Sequence, residues 1–333
     1  MSVNFGKYFM VGLPGLALDS STIDLVKDLR IHNFILFRRN VESPGQLSKL
    51  CHDLKSVCVE NGLPVPFISI DQEGGTVARL PEPFTQFEDA RVLAESSDPE
   101  GALSHYARTC ARELVEMGIN MNLAPVLDLC PAGEGYYMEH RCLGNDPDRV
   151  AELGCLVIAA MQEEGVAACG KHFPGLGASI LDPHQQLPTV TTSRGEIMER
   201  DLVPFQRAMN EGVAAIMTSH TIYSDIDYGI PATMSTIILS HIVREEMGYD
   251  GLIITDDLEM GAIENEGRIE KAAVTSFVAG ADLLLICHDH DKVCRSYKAF
   301  MEAAGKGDIL ESRLCESERR FDALHDQFIC QRN

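Results

Sequence analysis

Eight short apolar runs recur along the chain, at 7–12, 34–37, 66–71, 119–128, 167–172, 214–220, 251–256 and 281–286, with stretches of helical spacing between them. A strand with one wet face alternates apolar and polar residues, whereas a strand covered on both faces reads as a nearly continuous apolar run. These runs are of the second kind, and their alternation with helices is the pattern of βα units in a parallel sheet. Eight such units predict an α/β fold closed as a (β/α)8 barrel of TIM type. Such a barrel takes about 250 residues before insertions, so one domain accounts for all 333 residues. Pro, Gly and Ser are dispersed and no repeat or low-complexity tract stands out, so a single domain over 1–333 is expected.

The helices announce their ends. Asp98-Pro99 and Asp146-Pro147 each put a capping carboxylate before a proline at the first helical position, and Ser193 with Glu196 has the spacing of a capping box. Leu103, Tyr106, Cys110, Leu114 and Met117 keep one helical face, with Gly118 as the stop. Pro204 predicts the start of a second helical piece, since proline is tolerated in a first turn and not in an interior. Beyond about residue 308 the pattern is that of a final amphipathic helix, whose Glu and Arg residues read as a solvated face.

A formal charge of −22 repels phosphate backbones, and no basic cluster offsets it, which argues against nucleic acid as a partner. The start MSVNFGKYFMVGLPG lacks a basic region followed by a long apolar one, and no run reaches the roughly 18 apolar residues of a membrane span. A soluble, unexported, cytoplasmic protein without a membrane partner is expected. The 11 cysteines are an odd number, and several are scattered through apolar segments, as suits reduced thiols rather than a disulfide framework. The run CHDHDKVC at 287–294 offers zinc-type ligands, but it follows an apolar run and has no C-x2-C partner. A solvated loop is expected there, with no metal and no cofactor.

Polar residues interrupt the apolar runs at their C-terminal ends: Asp71, Asp128, Lys171, His172, His220 and Asp256. In a barrel those ends converge on one mouth, where the fold places its chemistry. Asp256 and Asp257 are adjacent and must point to opposite sides of an extended strand. Asp257 is assigned to capping a helix near Leu258, leaving Asp256 to face the mouth, where a carboxylate can attack an anomeric carbon. The segment KHFPGLGASILDPHQQLP, 171–188, places Asp182 and His184 two apart. An extended i, i+2 pair shares a side, so Asp182 can orient an imidazole that gives and takes protons. A turn in which Asp182 caps backbone amides is the other reading of the same residues.

This segment resembles the KHFPG-H-G-x4-D-S-H run of the β-N-acetylglucosaminidases of glycoside hydrolase family 3. GLIITDDLEMGAI resembles the family's nucleophile motif, FISIDQEGGTVARL its DQEGGRV-x-R, and HRCLGNDPDRV its R-S-F-x-x-D-P. The similarity runs from about residue 8 to 290. It implies Asp256 as nucleophile, His184 as acid/base held by Asp182, and Asp71, Arg79, Arg141, Lys171 and His172 as sugar-binding residues. It implies a retaining exo-β-N-acetylglucosaminidase acting on terminal β-linked GlcNAc through a glycosyl-enzyme. A saccharide or muropeptide would be its small-molecule partner. The single-domain length resembles the cytoplasmic enzymes that act on 1,6-anhydro-muropeptides in peptidoglycan recycling. A β-glucosidase or β-xylosidase of the same family, or a non-catalytic sugar-binding barrel, are the alternatives. Three residues depart from the pattern. Thr76 replaces an Arg and implies a lost ion pair, Leu176 replaces a His and implies a lost anchor for the loop, and Pro183 replaces the Ser between Asp182 and His184 and restricts Asp182.

Overall fold

The computed structural model describes residues 4–176, 188–264 and 268–330. Eight parallel strands form one sheet: β1 Phe9–Gly12, β2 Asn33–Leu36, β3 Phe67–Ile70, β4 Met121–Asn122, β5 Ala167–Phe173, β6 Ala215–Thr218, β7 Leu252–Thr255 and β8 Leu284–Ile286. Their order is β8-β1-β2-β3-β4-β5-β6-β7. A parallel bridge between Ile254 and Leu283 joins the two ends, and Thr255 N–H donates to the Leu283 carbonyl at 3.0 Å, so the sheet closes into a barrel. Each strand matches one of the eight apolar runs.

Strand alternation divides the buried side chains into two cores. Met10, Ile35, Phe67, Met121, Cys169, Met217, Ile254 and Leu285 fill the barrel interior. Their strand neighbours Val11, Phe34, Ile68, Ala168, Ile216, Ile253 and Leu284 pack outward against the helices. The continuous apolar runs follow from this, because neither face of the sheet meets water.

Helix ends fall where the caps predict. Asp98 accepts from Gly101 N–H at 3.1 Å to open helix Pro99–Met117, and Asp146 accepts from Arg149 N–H at 2.9 Å to open helix Pro147–Glu163. Each cap is worth about 1 kcal/mol. Gly118 ends the first of these helices at φ 88°, a conformation that costs other residues more. Ser193 caps a short helical turn, and Pro204 sits in the first turn of a separate helix, Val203–Asn210.

Two expectations need correction. The final helix, Glu311–Phe328, does not keep all its arginines in water. Arg313 and Arg320 turn inward with Ser317 onto Asp282, a carboxylate with no exposed surface, because an uncompensated charge at that depth would be costly. The 287–294 run is a strand end and a capped helix rather than a solvated loop. Asp289 accepts from the N–H groups of Asp291 and Lys292 to start helix His290–Lys306, and His290 bonds the Gly12 carbonyl. No helix among the described residues is long and apolar enough to cross a membrane.

Candidate active site

Strand β5 contributes two consecutive side chains to the barrel mouth, which an undisturbed strand cannot do. Its register with β6 slips between Lys171 and Phe173, a bulge of the kind that re-aims side chains. Lys171 and His172 accordingly line one cavity of about 390 Å³ together with Asp71, Arg79, Arg141 and Asp256. All six of these predicted residues thus come together at the C-terminal ends of the strands. Phe37, Tyr137, Met260 and His288 complete much of the wall.

The cations of the cavity are held by the buried carboxylate of Glu73 and the partly buried one of Asp71. Lys171 Nζ lies 2.8 Å from Asp71 Oδ1 and 2.6 Å from Glu73 Oε1, and Arg141 meets Glu73 as a fork at 2.9 and 2.8 Å. Burial would raise the Glu73 carboxyl, but Arg141 and Lys171 outweigh it and hold the group well below the usual carboxylate range. Burial would likewise neutralise Lys171, yet Asp71 and Glu73 move its pKa upward, so the ammonium persists. Arg79 reaches Asp71 at 3.5 Å, and its Nε is buried with no partner among the described residues. The arrangement presents fixed charged groups whose remaining valences can meet sugar hydroxyls.

His172 is oriented by Asp128, which is fully buried. One Asp128 oxygen lies 2.8 Å from His172 Nδ1, and both accept from the His172 backbone N–H at 3.2 Å. With a carboxylate as its partner, Nδ1 carries the hydrogen and Nε2 is left for the cavity. Asp128 also accepts from Leu176 N–H at 2.6 Å. The Leu176 side chain packs among Val126, Cys130, Met138 and Cys142. The anchor expected to be lost with the histidine is therefore replaced by apolar packing and a backbone hydrogen bond.

Asp256 opens into the same cavity, and among the described residues its one hydrogen bond comes from Asp257 N–H at 2.8 Å. Burial pushes its carboxyl up, but His220, His172, this N–H and Lys171 together bring it below the ordinary value, so it stays ionised at neutral pH. Asp257 behaves differently, with burial raising it to about 7. It accepts from Glu259 N–H at 3.1 Å and closes a turn, while the next helix begins at Gly261, so the cap predicted at Leu258 belongs to a turn and not to a helix. His220 lies behind the site. Its Nε2 donates to the Asp257 carbonyl at 2.9 Å and its Nδ1 lies 2.9 Å from Thr233 Oγ1. Thr76 lines the cavity, and its N–H donates to Asp89 at 2.9 Å.

Asp182 and His184, with Pro183 between them, lie outside the described residues. Glu73, Asp128 and Tyr137 were not among the predicted site residues. Glu73 is two residues after Asp71, the spacing that puts both on one side of an extended segment, and Asp128 stood at a strand end.

The Glycosyl hydrolase family 3 N-terminal domain model matches residues 7–324. A β-hexosaminidase from Alkalilimnicola ehrlichii is 36% identical over 289 residues, 85% of this chain and 81% of that protein. One from Neisseria gonorrhoeae is 35% identical over 316 residues, 92% of this chain and 86% of that protein. Among solved structures, a family 3 β-N-acetylglucosaminidase from Paenibacillus sp. str. FPU-7 superposes with a TM-score of 0.93 at 34% identity. That alignment covers 98% of this chain but 62% of the Paenibacillus chain. NagZ from Neisseria gonorrhoeae, in complex with N-trifluoroacetyl-D-glucosamine, gives a TM-score of 0.78 at 29% identity, covering 95% of this chain and 98% of that one. The chain belongs to glycosyl hydrolase family 3. It is a glycoside hydrolase of the β-hexosaminidase group.

Proposed function

We propose that this chain is a retaining exo-β-N-acetylglucosaminidase formed by one catalytic domain over residues 1–333, with Asp256 as nucleophile. The observation that carries this reading is the Asp256 carboxylate. It is ionised, sparsely bonded among the described residues and directed into a sugar-sized cavity also lined by a fixed set of donors and acceptors. Asp71, Arg79, Arg141, Lys171 and His172 would hold the ring hydroxyls and set the anomeric carbon against Asp256, where orientation itself accelerates attack. An Asp256 oxygen bonds to that carbon while the glycosidic oxygen departs with a proton from the His184 imidazolium, giving a glycosyl ester. His184, then neutral and held by Asp182, removes a proton from water as the water oxygen displaces Asp256.

The N-acetylglucosamine analogue named with the Neisseria gonorrhoeae structure supports an acetamido sugar as substrate. Terminal β-linked GlcNAc on 1,6-anhydro-muropeptides, and hence cytoplasmic peptidoglycan recycling, is the natural setting proposed. Nitrophenol release from the β-N-acetylglucosaminide, with the matching β-glucoside as control, tests the reading. Turnover of the first substrate alone, lost in Asp256→Ala, is expected. Equal turnover by Asp256→Ala would overturn the nucleophile, and preference for the glucoside would move the chain to the β-glucosidases. A bell-shaped pH profile whose limb survives His184→Ala would remove His184 from its role.

A further inference from the structure

At the end of the barrel opposite the cavity, the last turn of the final helix and the residues just past it gather three donors of different chemistry. The ligand atoms of His325, Asp326 and Cys330 all lie within 4.8 Å of one another. His325 Nε2 is 2.9 Å from the Val65 carbonyl, which can only accept, so Nε2 carries the hydrogen and Nδ1 presents its lone pair. Fixing one ring nitrogen on a carbonyl so that the other can bind a metal is the usual outer support of a metal-bound histidine. Nδ1 faces Cys330 Sγ at 3.4 Å. An imidazole nitrogen and a thiolate on one tetrahedral zinc ion, at about 2.1 and 2.3 Å, are about 3.6 Å apart, so the pair needs little movement to share an ion.

We infer that His325 Nδ1, Cys330 Sγ and an Asp326 carboxylate oxygen form a binding site for a borderline-soft divalent cation of the zinc type, with its fourth position open to solvent. The thiol gives its proton to solvent as the sulfur–metal bond forms, and no oxidant or reductant is required. Desolvation and the neighbouring Asp326 raise the Cys330 thiol pKa, an obstacle that a bound dication reverses. The location favours a cation in two further ways. The C-terminal end of a helix carries partial negative charge, and the chain as a whole has a charge of −22. All three ligands belong to the final helix and its end, so an ion here fixes the His325 ring that bonds the Val65 carbonyl just before β3. The site is independent of the glycosidase reading.

The test uses the full chain, reduced and stripped with a chelator, titrated with Co2+ and then Zn2+. One Co2+ per chain with thiolate-to-cobalt charge-transfer absorption, displaced by Zn2+, is expected. Cys330→Ser, at an exposed residue, should abolish that absorption and weaken Zn2+ binding at least about tenfold, and Asp326→Asn should weaken it less. Cys294→Ser and Cys315→Ser, at the other two exposed cysteines, should change neither. Absence of the absorption in the unaltered chain, or its persistence in Cys330→Ser, would overturn the site.

Discussion

At the floor of the barrel Asp282 takes donors from Arg244, Arg313, Arg320, Ser317 and Ile253 N–H, whereas at the mouth Asp256 takes one from among the described residues, Asp257 N–H. Both carboxylates are held below their ordinary values against the opposing effect of burial. Charge alone therefore does not separate a structural carboxylate from a reactive one. What separates them is saturation and access. Asp282 has spent its lone pairs and has no exposed surface, while Asp256 keeps lone-pair capacity and a cavity in front of it.

The sharpest way to break the comparison is to remove each carboxylate in turn. Asp256→Ala should lower kcat on the nitrophenyl N-acetylglucosaminide by about 10^3-fold or more with folding intact. Asp282→Ala should cost about 3–5 kcal/mol, because it strands three guanidinium groups, yet leave kcat/KM of the folded protein unchanged. Denaturant melts run beside the kinetics decide both, and an Asp282→Ala protein that is stable but inactive would erase the distinction.

Asp128→Asn should come next, lowering kcat/KM about tenfold as His172 loses its fixed hydrogen and orientation, with a smaller stability loss than at Asp282. Glu73 sharpens the mouth's side of the contrast. Its folded-state pKa is depressed, so its contribution to stability is complete above the unfolded value of about 4.3 and is lost as pH falls below it. Melts of Glu73→Gln between pH 5 and 2 should fall less steeply than those of the unaltered chain. An effect of opposite sign is expected at Asp257, whose folded value is raised to about 7. The folded state then binds the extra proton between about pH 4 and 7, so stability declines as pH rises through that window. Asp257→Asn should remove that decline, and parallel stability curves for the two proteins would contradict it.

The barrel was legible because strands covered on both faces must be apolar throughout, and because Asp98, Asp146 and Gly118 mark helix ends by local chemistry alone. Asp71, Lys171, His172 and Asp256 were legible for a related reason, since strand ends in a closed barrel must converge, whereas Arg79 and Arg141 were reached through the family resemblance alone. Glu73 was missed because it sits past the strand end, where no periodicity speaks for it, although its spacing from Asp71 was a usable signal. The final helix was misread because arginine on a helix usually means water. Arg313, Ser317 and Arg320 nevertheless share the face of Leu324 and Phe328, and polar residues on an apolar stripe are the sign of a buried partner. Neither kind of signal reaches Asp182 and His184, whose pairing rests on spacing and resemblance.

The arginine cluster on Asp282 also bears on the order in which the molecule can be completed. Synthesis runs from the N-terminus, so Arg244 and Asp282 leave the ribosome before residues 313–320. Until those residues emerge, a carboxylate destined for full burial has one cationic side chain to meet it instead of three. The floor of the barrel therefore cannot settle ahead of the final helix, and a nascent chain halted before Arg313 holds β7 and β8 together with Arg244 alone to meet the charge at their base.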